Sequence, residues 1–283
     1  MTSNQAITQT HPTITILGAG AMGSAILDGL LAEGRFAREF RVTNRRRDSL
    51  LLPWPAGVTA FSTEDDRNAN RAAVEGAELV LLGVKPSMVD DLLAEIADAL
   101  EPGAVVVSLA AGVTTAMMES FLPEHVAVVR SMSNTPAGVG FGMTAIARGS
   151  RVSDAQFELV GRMFRAVGEV LVLPEEKLDA VTAVSGSGPA YVYYMIESFA
   201  RTAADMGFTQ AEAETLVTET FRGAVELLRA SGKSPERLRL DVTSPGGTTE
   251  RAIGVLENAD LSATFAAAIA AAAARSKEMS AGR

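Results

Sequence analysis

From Ile14 to about Leu173, short apolar runs rich in β-branched residues alternate with stretches of helical spacing. ITIL is followed by the helical AMGSAILDGLLAEG, and FRVTN, ELVLLGV, AVVVSLA, VAVVR, MTAIA and EVLVLP supply further strands. These runs are continuous rather than alternating apolar with polar, as strands buried on both faces are. The pattern predicts βαβ units and an α/β fold with a mostly parallel sheet. After Pro174 no strand is expected, and the spacing turns helical. Thr209 and Glu212 form a capping-box pattern at the head of a helix running towards Arg229. Pro189, in GSGPAY, stands where a helix starts without losing a hydrogen bond. A last helix is expected around Leu261 to Met279. Its alanine surface permits close approach of another helix, and the small polar share of this half points to an oligomer. Tyr191, Tyr193 and Tyr194 fall within one helical turn and are read as core or interface residues. The expected division is therefore residues 13–173 and 174–283.

Composition narrows the chemistry. The chain has 283 residues, 47% of them hydrophobic and 21% charged, enough to bury a core in about two domains. Its 34 acidic against 25 basic residues give a net charge of −9, which repels nucleic acid and anionic membrane over most of the surface. With no cysteine and only His11 and His125, disulfides, thiol nucleophiles and cysteine-ligated metals are excluded, and no histidine-built metal site is expected. The polar start, MTSNQAITQTHPT, lacks the features of a secretion signal. The longest alanine-rich run, Ala266 to Ala274, is too short to span a bilayer. A cytoplasmic location is the resulting expectation.

Two stretches carry candidate anion chemistry. After ITIL comes GAGAMG, residues Gly18, Ala19, Gly20, Ala21, Met22 and Gly23, in the spacing of a dinucleotide turn. Gly18 permits the tight turn, Gly20 lets a pyrophosphate approach the backbone, and Gly23 allows the helix to pack close to the strand. About twenty residues on, where an NAD-binding chain carries an acid, VTNRRRDSL places Asn44 with Arg45 and Arg46. Guanidinium forks match a 2′-phosphate, so the reading is NADP(H), with NADH as the alternative reductant. Val84, Lys85 and Pro86 end one apolar strand and Ala110, Ala111 and Gly112 follow another; both complete the cofactor edge at the carboxyl ends of the strands. Lys85 is assigned no proton-transfer role. The second stretch is VTSPGGTTERA, which interrupts a helical region. Pro245 fixes one backbone angle, Gly246 and Gly247 let successive amides point at one spot, and a helix starts near Thr248. Ser244, Thr248 and Thr249 add hydroxyls, so a carboxylate or phosphate ligand is expected there.

GAGAMG, VKP, AVSGSGPAY and VTSPGGTT, in this order, resemble pyrroline-5-carboxylate reductases over Ile14 to about Met279. The resemblance implies an N-terminal Rossmann domain, a helical C-terminal domain that interlocks in a homodimer, and higher assemblies of such dimers, up to a decamer. It also implies NADPH-dependent reduction of a cyclic imine, 1-pyrroline-5-carboxylate, to L-proline. The substrate carboxylate would rest on Ser244, Gly246, Gly247, Thr248 and Thr249, with the Thr249 hydroxyl reaching the ring nitrogen as the catalytic group. Glu175 would lie near the substrate; a helix-start role for it remains open. In RSMSNTP, Ser133 stands where this family commonly has proline, which questions how the loop at Asn134 is held. Two other readings are a β-hydroxyacid dehydrogenase, which the Tyr and Met residues of SGSGPAYVYYMIE disfavour, and a non-catalytic NADPH-binding protein.

Overall fold

The computed structural model describes residues 11–34, 36–50 and 54–281; the chain up to residue 10, where most of the polar start lies, and residues 282–283 fall outside them. The chain divides into two compact units, the first running to Gly186 and including the segment from Ala273 onwards, the second Ser187–Ala272.

The first unit is built on one eight-stranded sheet. Its strands are β1 (Thr13–Leu17), β2 (Glu39–Asn44), β3 (Val58–Ser62), β4 (Leu79–Leu82), β5 (Val105–Ser108), β6 (Ala127–Met132), β7 (Gly142–Arg148) and β8 (Gly168–Val172). They lie in the order β3-β2-β1-β4-β5-β6-β7-β8. The first six are parallel, with Leu17 level with Leu82 and Leu82 with Ser108, while β7 runs antiparallel to β6 and parallel to β8. Central strands alternate their side chains between two cores, as the two-residue period of a strand dictates. Ile14, Ile16, Leu79, Leu81, Val105 and Val107 pack on one side with Ile26 and Leu30 of the helix Ala21–Glu33 and Phe157, Val160 and Phe164 of the helix Asp154–Arg165. Leu17, Val80, Leu82, Val106 and Val128 pack on the other with Val89, Leu93 and Ile96 of the helix Val89–Ile96 and Met118 of the helix Thr115–Phe121. The unit is thus a three-layer α/β/α sandwich, and the unbroken apolar runs reflect burial on both faces.

β3 was not expected from the sequence. Only Ser62 of its five residues is fully buried, because it is the edge of the sheet, and VTAFS accordingly lacks the apolar continuity of the inner strands. The antiparallel β7 follows from its connector: only residues 133–141 separate it from β6, too few for a parallel crossover.

The second unit is helical among its described residues: Gly188–Asp205, Gln210–Ser231, Pro235–Asp241, Thr248–Asn258 and the first part of Leu261–Ala281. Pro189 sits in the first turn of its helix, and the Thr209–Glu212 capping box is formed in both directions. The first two helices pack through Ala200, Ala213 and Val217, with Phe199 and Phe221 edge-to-face, centroids 5.7 Å apart. Little else in this unit is buried. Tyr193, Tyr194, Phe199, Met206, Leu240, Val242 and Val255 are all exposed, Tyr194 to 70% and Val255 to 67%. No single helix among the described residues is long and apolar enough to cross a membrane; the pair Thr248–Asn258 and Leu261–Met279, bent by 51°, reaches that length and composition only together.

Candidate functional sites: a sheet edge and a helix head

The order β3-β2-β1-β4-β5-β6 leaves a crevice where the connections from β1 and β4 depart in opposite directions, the place where open parallel sheets take their ligands. The candidate nucleotide residues lie at or past the carboxyl ends of parallel strands: Gly18–Gly23 after β1, Asn44 as the last residue of β2 with Arg45 and Arg46 after it, Val84–Pro86 after β4 and Ala110–Gly112 after β5. One edge of the sheet thus gathers segments that are distant in sequence.

The glycines of the first turn divide their labour as their spacing predicts. Gly18 has φ +85, and a β-carbon there would sit 2.8 Å from Val84 Cγ1. A β-carbon on Gly23 would lie 2.9 Å from both the Gly18 carbonyl oxygen and Ile16 Cγ2, so glycine is what lets the helix Ala21–Glu33 approach β1. Gly20 differs: a β-carbon there meets nothing within 4 Å. The space over Gly20 is therefore open from the protein side, at the head of a helix whose first amides, from Ala21 onwards, have no acceptor within the helix. The amides of Gly18 and Ala19 are already committed to the Thr43 carbonyl, at 3.0 and 3.1 Å, which ties the turn to the end of β2. Gly83, not singled out in the sequence, is equally constrained, since a β-carbon would overlap the Gly18 carbonyl oxygen. Arg45 and Arg46 are exposed, and Arg46 pairs with Asp48 at 3.3 Å. Lys85 is exposed, at the entry to a single 3-10 turn, while Ala110 is buried with its amide donating to Ser108 Oγ at 3.1 Å. Gly112 has φ +74.

The edge continues into a segment that the sequence left in question. Ser133 Oγ accepts from Thr144 Oγ1 at 2.8 Å, and Asn134 Oδ1 accepts from the Met143 amide at 2.8 Å. Asn134 Nδ2 in turn donates to the Ser185 carbonyl at 3.2 Å, in the short π-helical turn Thr182–Gly186. Hydrogen bonds to β7 and this turn hold the loop at Ser133 and Asn134.

In the second unit the helix Thr248–Asn258 starts where expected, with Gly247 as its N-cap. The loop differs in detail from the expected amide cradle. Gly246 takes φ +73, and its N–H donates to Glu250 Oε2 at 2.8 Å; the Gly247 N–H donates to the Ser244 carbonyl at 3.0 Å. Both glycine amides are thus used inside the loop, that of Gly246 by a carboxylate of the first helical turn reaching back much as in a capping box and that of Gly247 by the turn's own backbone. The donors left to face a guest are the first-turn amides of Thr248 and Thr249 with their hydroxyls, beside exposed Ser244. Gly246 and Gly247 shape the turn and leave donation to their neighbours.

Glu175 lies in the first unit. Its Oε1 accepts from the Thr115 amide and its Oε2 from Thr115 Oγ1, both at 2.7 Å, so the acid closes the head of the helix Thr115–Phe121 from sixty residues away. Beside it, Arg130 on β6 was missed in the sequence; the guanidinium donates to Asp179 Oδ1 at 2.6 Å and lies 3.6 Å from Glu175 Oε1. An arginine between valines and a serine in a buried strand was the available signal.

Comparison with known proteins agrees with this architecture. Residues 175–279 match the family model described as pyrroline-5-carboxylate reductase dimerisation, and residues 13–112 match that of NADP oxidoreductase, coenzyme F420-dependent. A pyrroline-5-carboxylate reductase of Mycobacterium tuberculosis is 38% identical, the match covering 94% of this chain and 96% of that one. The structure of a pyrroline-5-carboxylate reductase from Coxiella burnetii matches with a TM-score of 0.85 at 37% identity, over 96% of this chain and 99% of that one. The crystal structure of the Plasmodium falciparum pyrroline carboxylate reductase with NADP bound also has a TM-score of 0.85, at 26% identity, over 95% of this chain and 98% of that one. With relatives matched over nearly their full length, the chain belongs to the pyrroline-5-carboxylate reductase family.

Proposed function

We propose that this protein reduces 1-pyrroline-5-carboxylate to L-proline with NADPH, the last step of proline biosynthesis. Family membership supports the reaction, and the observation that carries the cofactor is the shape of the first turn: Gly18 and Gly23 are closed off by protein, whereas Gly20 is open. That is the profile of a diphosphate-binding turn rather than of a plain connection. The residues present fit NADPH: Gly18–Gly23 for the diphosphate, Asn44 with Arg45 or Arg46 for the 2′-phosphate, Val84–Pro86 and Ala110–Gly112 for the remainder. When bound, the cofactor supplies a hydride to the imine carbon. A likeness to β-hydroxyacid dehydrogenases has no further support.

The remaining work falls to the chain. The substrate carboxylate is held by Thr248 and Thr249 at a helix head, with Ser244 beside them, and the Thr249 hydroxyl bonds the ring nitrogen. An imine takes up its proton before it is reduced, so no side chain has to protonate an alkoxide, and a protein with two histidines is not at a disadvantage. Positioning and preorganised dipoles supply the acceleration. In this reading residues 13–173 bind the nucleotide and 174–283 serve dimerisation and substrate, although residues 174–186 pack with the sheet unit. The protein is a homo-oligomer; the dimer is its unit and a ring of dimers such as a decamer its larger form, in the cytoplasm.

The test is NADPH oxidation with pyrroline-5-carboxylate as acceptor. Thr249→Ala should lower kcat on the order of 100-fold with the NADPH dissociation constant unchanged. An unaltered rate removes Thr249 from the mechanism, and turnover of a hydroxyacid but of no imine removes the reading itself.

A further inference from the structure

We infer that Glu175 and Arg130 are positioning residues that hold the Ala110–Gly112 loop in place for the nucleotide, and that Glu175 is not a substrate ligand. The inference rests on reading that sheet edge as the cofactor edge. The loop leaves β5 at Ser108 and ends at the helix head Thr114–Thr115. Its first end is fixed from β6, where Ser131 Oγ donates to the Ser108 carbonyl at 2.7 Å, and by the Ala110 amide on Ser108 Oγ. Its far end is fixed by Glu175, whose two carboxylate oxygens take the amide and the hydroxyl of Thr115. Between these anchors Gly112 needs a left-handed φ of +74, a conformation that the local sequence does not enforce by itself.

Arg130 explains why an acid is placed there. Its side chain is only 3% exposed, and a guanidinium taken out of water is costly unless paired. Its partners, Glu175 and Asp179, both come from the short segment that follows β8, so one buried cation fastens that segment against the sheet. Asp179 also accepts from Ser276 Oγ at 3.4 Å, on the last helix. Glu175 is thus oriented by Arg130 and delivers its oxygens to Thr115. Both oxygens of the Glu175 carboxylate are thus taken by Thr115, with Arg130 beside one of them, so the group already has its partners within the protein.

The experiment is direct titration of NADPH into the full-length protein without substrate, steady-state kinetics in both substrates, and hydrogen exchange over residues 109–118 without nucleotide. For Glu175→Gln the NADPH dissociation constant should rise roughly five- to tenfold, exchange over 109–118 should quicken, and the KM for pyrroline-5-carboxylate should hold. Thr115→Val, which keeps the amide and loses the hydroxyl, should shift NADPH binding the same way by less. The double variant should be no worse than Glu175→Gln, since the two act through one contact. A raised KM for the imine with unaltered NADPH binding would overturn the inference and return Glu175 to the substrate, as would a Thr115→Val protein with unchanged binding and exchange. Failure of the unaltered protein to bind NADPH is a separate result; it removes the cofactor reading and this inference with it.

Discussion

The three glycines after β1 show how much one missing methyl group decides. Gly20→Ala should fold normally, at a cost below about 1 kcal/mol for a poorer helix cap, because its β-carbon enters empty space. If the diphosphate approaches over Gly20 as proposed, the same methyl would stand in its way and NADPH binding should weaken about tenfold, or ~1.4 kcal/mol. Gly23→Ala should do the reverse: its β-carbon collides with backbone, and the melting temperature should fall with a loss of about 1–3 kcal/mol. Calorimetry and nucleotide titration on the two variants separate the roles, and equal stability losses would contradict them. Residue spacing made this turn legible because the steric rule is local. The glycines near Thr248 were legible only in part: their need for unusual backbone angles shows in the sequence, whereas the use of the Gly246 amide by Glu250 depends on a side chain four positions on choosing to fold back. The roles of Arg130 and Thr115 depend in the same way on partners in other segments; only the presence of an arginine within a buried strand was there to be read.

Among the secondary-structure elements, the inner strands and the helix heads at Ala21, Pro189, Gln210, Thr248 and Leu261 could be read directly, while β3, the direction of β7 and the remaining helix heads were not. The edge strand β3 lacks the apolar continuity on which recognition depends, whereas β8 at the other edge keeps it in EVLVLP; strand direction is a property of the connector. Helix caps are the clearest case of local encoding. Ser153 with Gln156 and Thr209 with Glu212 both form reciprocal boxes. The backbone N–H of Thr209, and then its hydroxyl, hold the Glu212 carboxyl below the usual carboxylate range. A group lowered in the folded state stabilises at pH above its ordinary value, and that contribution is lost as the pH falls through the lowered one. Glu212→Ala should therefore reduce the urea midpoint at pH 7, and the gap from the parent protein should close as the solution is taken from pH 5 towards pH 3, at fixed protein concentration. A gap that stays constant with pH would show that the carboxylate charge plays no part.

For the molecule as a whole, the contrast between the two units matters most. The sheet unit has two full cores, whereas the helical unit buries little beyond Ala200, Ala213 and Val217 and exposes long apolar side chains. Exposed apolar surface of that kind marks an interaction face, and the family model matched there is one of dimerisation. Val255→Glu should weaken self-association at least about 100-fold, the cost of burying an unpaired charge. Sedimentation velocity over a dilution series would then show a smaller species than the parent protein forms; an identical distribution would place Val255 outside the contact.

The chain leaves the sheet unit at Gly186 and comes back to it at Ala273, with Ser276 1% exposed there. The helical unit is for that reason an insertion, tethered at both its beginning and its end. Trimming the helix back past Ser276 would injure the sheet unit rather than the helices next to it in sequence.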